Sequence, residues 1–191
     1  DTGMSGSVSR MDLIFARAFM LLQWNLMCRS RNTLNVSFNH LEVKGDSLLV
    51  YFRKQKNDQD GTRSKDPRHV YANPVTPAAD CILALAMWLL CCPPHENQKF
   101  LFAGERQDAR FNEIFQKVLN SDGCKVELAR RGFRPEDFGS HSLRKGASTF
   151  VSAGTTDAPP QISIILRGGW TLSKIEKTYF RPYSGLKSVA N

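Results

Sequence analysis

Long apolar runs are missing from this sequence. The longest, residues 81–92, is closed by Asp80 and Pro93, and the shorter stretch 18–28 carries Gln23 and Asn25. Neither reaches the roughly 20 residues that a helix needs to span a bilayer, so no membrane partner is expected. Cysteines are few and odd in number: of five, Cys28, Cys81, Cys91 and Cys92 sit in apolar stretches and Cys124 in a polar turn. That usage excludes a small disulfide scaffold and reads as the reduced thiols of an intracellular protein. His40, His69 and His95 stand far apart and make no zinc spacing with the cysteines, so no metal or other cofactor is expected. No internal repeat or low-complexity tract is present. The chain opens without methionine on a Gly/Ser-rich stretch, and residues 1–10 read as a linker or a segment left by excision rather than as a leader.

What is present is globular and basic. The 191 residues carry 26 Lys+Arg against 18 Asp+Glu, a net charge of +8, and 41% of them are apolar. That length and mixture suit one domain with its own core. The positive excess predicts a polyanionic partner, because net charge governs association rather than fold.

Periodicity outlines the elements. Residues 11–27 place Met11, Ile14, Phe15, Ala18, Phe19 and Leu22 on one helical face. From Asn35 the period becomes two, through Val36, Phe38, Leu41 and Val43, and the turn Lys44-Gly45-Asp46 leads into 48–52 as a β-hairpin. A second turn at 58–61 and residues 68–71 add a third short strand. Residues 78–92 are apolar nearly all round, which predicts a helix buried on most of its surface and stopped by Pro93-Pro94. An amphipathic helix follows over 110–119 and a short one around 125–131. The next runs from a Ser140 cap to about Ala153, with Gly154 placed for a left-handed residue. The last helical pieces are 160–167 and 173–179, the latter with Ser173 and Glu176 in capping-box spacing. The expected fold class is mainly α with a small three-stranded antiparallel β-sheet.

His141-Ser142-Leu143-Arg144 sets a histidine and an arginine three apart in the first turn of a helix, beside N–H groups that favour an anion. Alone, the pair reads first as a capped, solvated helix start. Company gives it weight. Arg29 closes the first helix in Leu26-Met27-Cys28-Arg29, and the hairpin carries Lys54-Gln55-Lys56-Asn57-Asp58. Arg167-Gly168-Gly169-Trp170 breaks one helix and starts another, and Tyr179 follows Trp170 by nine residues within Glu176-Lys177-Thr178-Tyr179-Phe180-Arg181-Pro182. In order and spacing these elements resemble the catalytic domain of the tyrosine recombinases, over residues 11–182. The runs HSLRKG, RGGW and EKTYFRP are most similar to the recombinases of eukaryotic Crypton-type mobile elements.

The resemblance implies the tyrosine recombinase catalytic-domain fold and a set of roles. It makes Arg29 and Arg144 the two arginines, Lys56 the lysine, His141 and Trp170 the remaining pocket residues, and Tyr179 the nucleophile. Two guanidinium forks can hold the non-bridging oxygens of a phosphodiester as charge builds on them. A tyrosine of reference pKa about 10 needs a base or a positive pocket, and His141 is the candidate to assist. A hairpin lysine can protonate the leaving 5′-oxygen, and Trp170 offers an indole N–H or docks the last helix. The implied activity is breakage and rejoining of DNA strands through a covalent 3′-phosphotyrosyl intermediate, without ATP or divalent metal. The implied partners are double-stranded DNA and further protomers, as dimer or tetramer during synapsis, and the implied location is nuclear if the source is eukaryotic.

Strand alternation leaves Lys54 on the same side as Lys56, and the family's Lys-x-Lys-x-Asp pattern alone selects the second. Lys54, Lys145 and the cluster Lys125, Arg130, Arg131 and Arg134 are candidate contacts to the DNA backbone, the cluster reading equally as a solvated helix face. Two features depart from the family. Asn32 stands three positions after Arg29 where relatives carry an acid, and only twelve residues follow Tyr179, of which 183–191 read as a tail. Rival readings are a type IB topoisomerase, a non-cleaving DNA-binding module, and a metal nuclease pairing His141 with Asp137. Tyr183 is an alternative nucleophile that fits the spacing from Trp170 badly.

Overall fold

Ser9 opens the first helix: its hydroxyl accepts the Asp12 N–H at 3.0 Å and donates to the Asp12 carboxylate at 2.8 Å. From there α1 runs over Arg10–Leu26, and Phe15, Ala18, Phe19, Leu22 and Leu26 along one stripe are fully buried. Met11, expected on that stripe, is exposed at the open first turn. The computed structural model describes residues 8–52, 67–153 and 159–169. Within them α1 is the central element, packed against α3 (Cys81–Cys91), α4 (Gln107–Leu119) and α6 (Ser140–Ala153).

Aromatic rings fill the space between these helices. Phe19 meets Phe111 at 4.6 Å between centroids, and Phe15 lies edge-on to Trp88 at 5.6 Å and to Phe102 at 5.7 Å. Each such side chain gains roughly 1.5–3 kcal/mol from leaving water, and edge-on pairs add somewhat more. The Trp88 indole N–H donates to the Leu101 carbonyl at 3.1 Å, so the ring is buried without an orphaned donor.

The sheet has the order β1-β2-β3, all antiparallel: β1 is Leu41–Lys44, β2 Ser47–Val50 and β3 Arg68–Tyr71. Leu41 pairs with Val50 and Val43 with Leu48 across a turn where Gly45 takes a φ of +59°, which glycine adopts at no steric cost. The alternation expected from Asn35 onward is interrupted. Ser37 makes a single bridge to Phe100, and Phe38–His40 form a 3₁₀ turn in which the Ser37 N–H donates to His40 Nδ1. Local side-chain bonds of this kind compete with a strand ladder and postpone it to Leu41. The expected turn at 58–61 lies outside the described residues.

Three further expectations change. The helix α2, Ser30–Leu34, is too short to show a period and was invisible in the pattern. The apolar helix over 78–92 is real as α3, but it is not buried all round. Cys81, Ala84, Leu85 and Trp88 are buried, while Leu83, Met87 and Leu90 lie exposed, Met87 at the rim where its sulfur accepts from Arg17 of α1. Ser140 is the first residue of α6 rather than its cap, and the Ser142 hydroxyl accepts the Gly139 N–H at 3.1 Å instead. The remaining helices are α4, which starts three residues before the expected 110, α5 over Asp122–Arg130 and α7 over Gln161–Gly168. Gly154 and the expected helix 173–179 lie outside the described residues. Among the described residues no helix is long and apolar enough to cross a membrane.

Candidate functional site

The end of α1 delivers Arg29. Met27 takes the left-handed conformation at φ 47°, its N–H bonded to Trp24 O, and the Cys28 N–H returns to Gln23 O at 3.3 Å. This Schellman turn stops the helix. Arg29, half-buried, then becomes the N-cap position of α2. Two carbonyls of α1 remain beyond the turn's own bonds. Leu26 O accepts from the Arg68 guanidinium of β3, and Asn25 O accepts from Arg167 Nη2 of α7 at 2.9 Å.

Opposite, α6 carries His141 exposed in its first turn and Arg144 one turn in, 7% exposed. Arg144 Nη2 donates to the Gly168 carbonyl at 2.6 Å, which fastens α6 to the end of α7. One buried side chain joins the two halves. Gln23 Nε2 donates to Ser140 O at 2.8 Å, and Gln23 Oε1 accepts from the Ser30 hydroxyl at 3.3 Å. Its two partners are the neighbours of His141 and Arg29. Close approach of the helices is set by Gly146, where a Cβ would stand 3.0 Å from Trp24 Cζ3.

The site is strongly basic. Burial, reinforced by Arg167 and Arg144 nearby, pushes the Arg68 guanidinium down to about 10, still fully charged at neutral pH. Arg167 is lowered by the same desolvation, and burial pushes the Cys28 thiol up, keeping it protonated between these cations. Three guanidiniums gathered under apolar cover make a strong field for an anion. Sequence reasoning missed Arg68, Arg167 and Gln23. The signals were there: Arg68 shares the inward face of β3 with Val70, Arg167 ends the apolar run Ile162-Ser163-Ile164-Ile165-Leu166, and Gln23 interrupts the buried stripe of α1.

The other expected residues fall in two groups. Lys54, Lys56, Trp170, Tyr179 and the alternative Tyr183 lie outside the described residues. Lys125, Arg130, Arg131, Arg134 and Lys145 are all exposed. Glu127 takes Arg130 at 2.9 Å and Arg131 at 2.7 Å, and these guanidiniums hold its carboxyl below the usual range. Asp137 pairs with Arg134 at 3.5 Å and accepts its N–H at 2.8 Å, so the acid of the metal-nuclease reading is already engaged. Among the described residues no group of three or more His, Cys, Asp or Glu could hold a metal. Asn32, in the place of the family's acid, lines a cavity of about 290 Å³ with His40, Phe52, Lys99 and Phe100.

No protein-family model and no curated protein matches the chain. Solved structures do. The XerH site-specific recombinase bound to its difH substrate, in a pre-cleavage complex, superposes with a TM-score of 0.59 at 16% identity, covering 90% of this chain and 44% of that one. A XerH post-cleavage complex on palindromic difH gives 0.52 at 13% identity, over 90% and 47%. The FLP recombinase–Holliday junction complex gives 0.55 at 14% identity, over 91% and 43%. The chain therefore spans less than half the length of these recombinases. Its helices around α1 and its three-stranded antiparallel sheet are the tyrosine recombinase catalytic-domain fold.

Proposed function

We propose that residues 11–182 are the catalytic domain of a site-specific DNA recombinase or transposase that cuts and rejoins strands through a 3′-phosphotyrosine at Tyr179. One observation carries the reading. Gln23 ties the segment of Arg29 to the helix of His141 and Arg144, two stretches more than a hundred residues apart in sequence, within a fold shared with XerH and FLP. Arg29 and Arg144 hold the non-bridging oxygens of the scissile phosphate, and His141 with Trp170 completes the pocket.

The Tyr179 oxygen attacks phosphorus as its proton passes to His141, the bond to the 5′-oxygen breaks, and Lys56 gives that oxygen a proton. One phosphodiester is exchanged for another, so the reverse attack by a 5′-hydroxyl needs no external energy. Arginines arranged in this way serve a phosphate without a metal ion. Double-stranded DNA and further protomers of the same protein are the partners, with Lys54, Lys145 and the exposed bases of α5 on the flanking backbone. A mobile element of the Crypton type, and hence a nucleus, is the setting that the motifs favour.

The test mixes the protein, in chelator, with nicked suicide duplexes and reads denaturant-resistant protein–DNA adducts. An adduct that disappears in Tyr179→Phe is expected. No adduct from the intact protein, or an undiminished one from the variant, refutes the assignment. Plasmid relaxation without strand exchange points to a topoisomerase instead, and tight binding without any adduct points to a recognition module.

A further inference from the structure

The carbonyl end of α1 is satisfied group by group. Of its last four carbonyls, Gln23 O and Trp24 O take the backbone N–H groups of Cys28 and Met27, and Asn25 O and Leu26 O take the guanidiniums of Arg167 and Arg68. Two cations also sit where the helix dipole is negative. Neither has a carboxylate partner among the described residues: Arg68 stacks over Phe52 at 4.6 Å, and Arg167 Nη2 reaches His69 O at 2.8 Å as well as Asn25 O.

What this clasp holds is unusual. Met27 is a bulky residue, 2% exposed, in a left-handed conformation that L side chains rarely adopt. Such a conformation persists where the surroundings over-determine it. Two residues later stands Arg29. The clasp also ties together the parts that follow. Arg68 belongs to β3, which comes next in sequence after the segment of Lys54 and Lys56, and Arg167 precedes Gly168, the residue whose carbonyl receives Arg144.

We propose that Arg68 and Arg167 are positioning residues for strand cleavage: by gripping the last two carbonyls of α1 they set the direction in which Arg29 leaves the helix and fasten β3 and α7 to it. Arg29 and Arg144 are thereby brought to one phosphate. The proposal rests on the strand-cleaving reading above. Arg167 meets Asn25 O and His69 O through one nitrogen, Nη2, and arginine suits the task because its planar guanidinium holds that nitrogen in a fixed plane, whereas a lysine is a flexible point of charge.

The experiment uses the full-length protein and a suicide duplex recovered by adduct capture from a random-sequence pool. Adduct accumulates irreversibly on such a duplex, so slow variants remain readable. Single-turnover adduct formation at saturating protein, DNA affinity and the thermal midpoint are measured for Arg68→Met, Arg68→Lys and Arg167→Lys, each with Arg29 intact and with Arg29→Lys. Arg68→Met is expected to slow cleavage by ~10–100-fold, the order expected for a misplaced reacting group, with affinity changed by less than ~3-fold. Arg68→Lys should recover part of the rate. In the Arg29→Lys background the further loss should shrink to under ~3-fold, since both changes then act through the same side chain.

Full additivity with Arg29→Lys, or a loss confined to affinity or thermal midpoint, overturns the proposal and leaves Arg68 as a helix cap alone. If Arg68→Met does not fold, Arg167→Lys makes the same comparison. Absence of adduct from the parent protein refutes strand cleavage itself and is recognised because every variant then behaves alike.

Discussion

Replacing Gln23 by leucine should loosen the joint between α1, α2 and α6. The side chain is 1% exposed, and its amide makes a short bond to Ser140 O at 2.8 Å and a long one from the Ser30 hydroxyl at 3.3 Å. Leucine has nearly the same volume, so little cavity opens and the cost is polar. Ser30 is half-exposed and turns its hydroxyl to water, which makes the weaker bond nearly free to lose. The Ser140 carbonyl loses its buried donor. A bond lost in this way costs about 1–3 kcal/mol, and about 2 kcal/mol is expected here.

For a chain of this length that lowers the thermal midpoint by roughly 4–8 °C. Urea unfolding followed by tryptophan fluorescence is the assay. Trp24 lies in the α1–α6 contact beside Gly146 and Phe150, so its emission reports the joint as well as global unfolding. The urea midpoint should fall with the slope unchanged, the signature of altered stability rather than altered compactness. A leucine variant as stable as the parent, or more so, would show that packing alone holds α6 to α1 and refute the coupling assigned to Gln23.

Trp88→Phe should destabilise the domain by roughly 2–3 kcal/mol, since it strands the buried Leu101 carbonyl and leaves a void between Phe15 and Phe102. A shift in the urea midpoint worth under about 0.5 kcal/mol would contradict that. Asp12→Asn tests a partly exposed pair. The Arg110 guanidinium at 2.8 Å and the Ser9 hydroxyl hold the Asp12 carboxyl below its ordinary value. A depressed carboxylate contributes stability above its unfolded value of about 3.9 and loses it as pH falls through the folded value. Thermal melts should show the variant weaker by under about 1 kcal/mol at neutral pH, the discount reflecting solvent screening, and approaching the parent as pH falls through the folded value. A gap that widens on acidification has the wrong sign.

Legibility followed the range of the interaction that mattered. Helix α1, the hairpin at Gly45 and the strand at Arg68–Tyr71 could be read because their signals are local: a stripe, a turn residue and an alternation. The short α2 and the 3₁₀ turn at Phe38–His40 could not, since neither is long enough for a period to repeat. The apolar run of α3 misled for a related reason. Composition records what a helix can bury, whereas burial depends on how many neighbours the fold supplies, and Leu83, Met87 and Leu90 are left exposed. The place of His141 and Arg144 one turn apart on one helix was legible through their spacing, whereas the link from that helix to the segment of Arg29 runs through Gln23 and was not.

By itself, then, the sequence determined the helical and strand periods, the basic excess and the one-turn spacing of His141 and Arg144, because each depends on residues within a few positions of one another. The tertiary structure alone decided which polar groups close the carbonyl end of α1. Gln23 meets Ser140 and Arg167 meets Asn25 across more than a hundred residues, and no local pattern encodes a bond between a side chain and a distant backbone carbonyl. The same is true of charge. Arg68, Arg144 and Arg167 are far apart in the sequence, yet they come near one another close to the end of α1, and that placement gathers part of the net positive charge at one point.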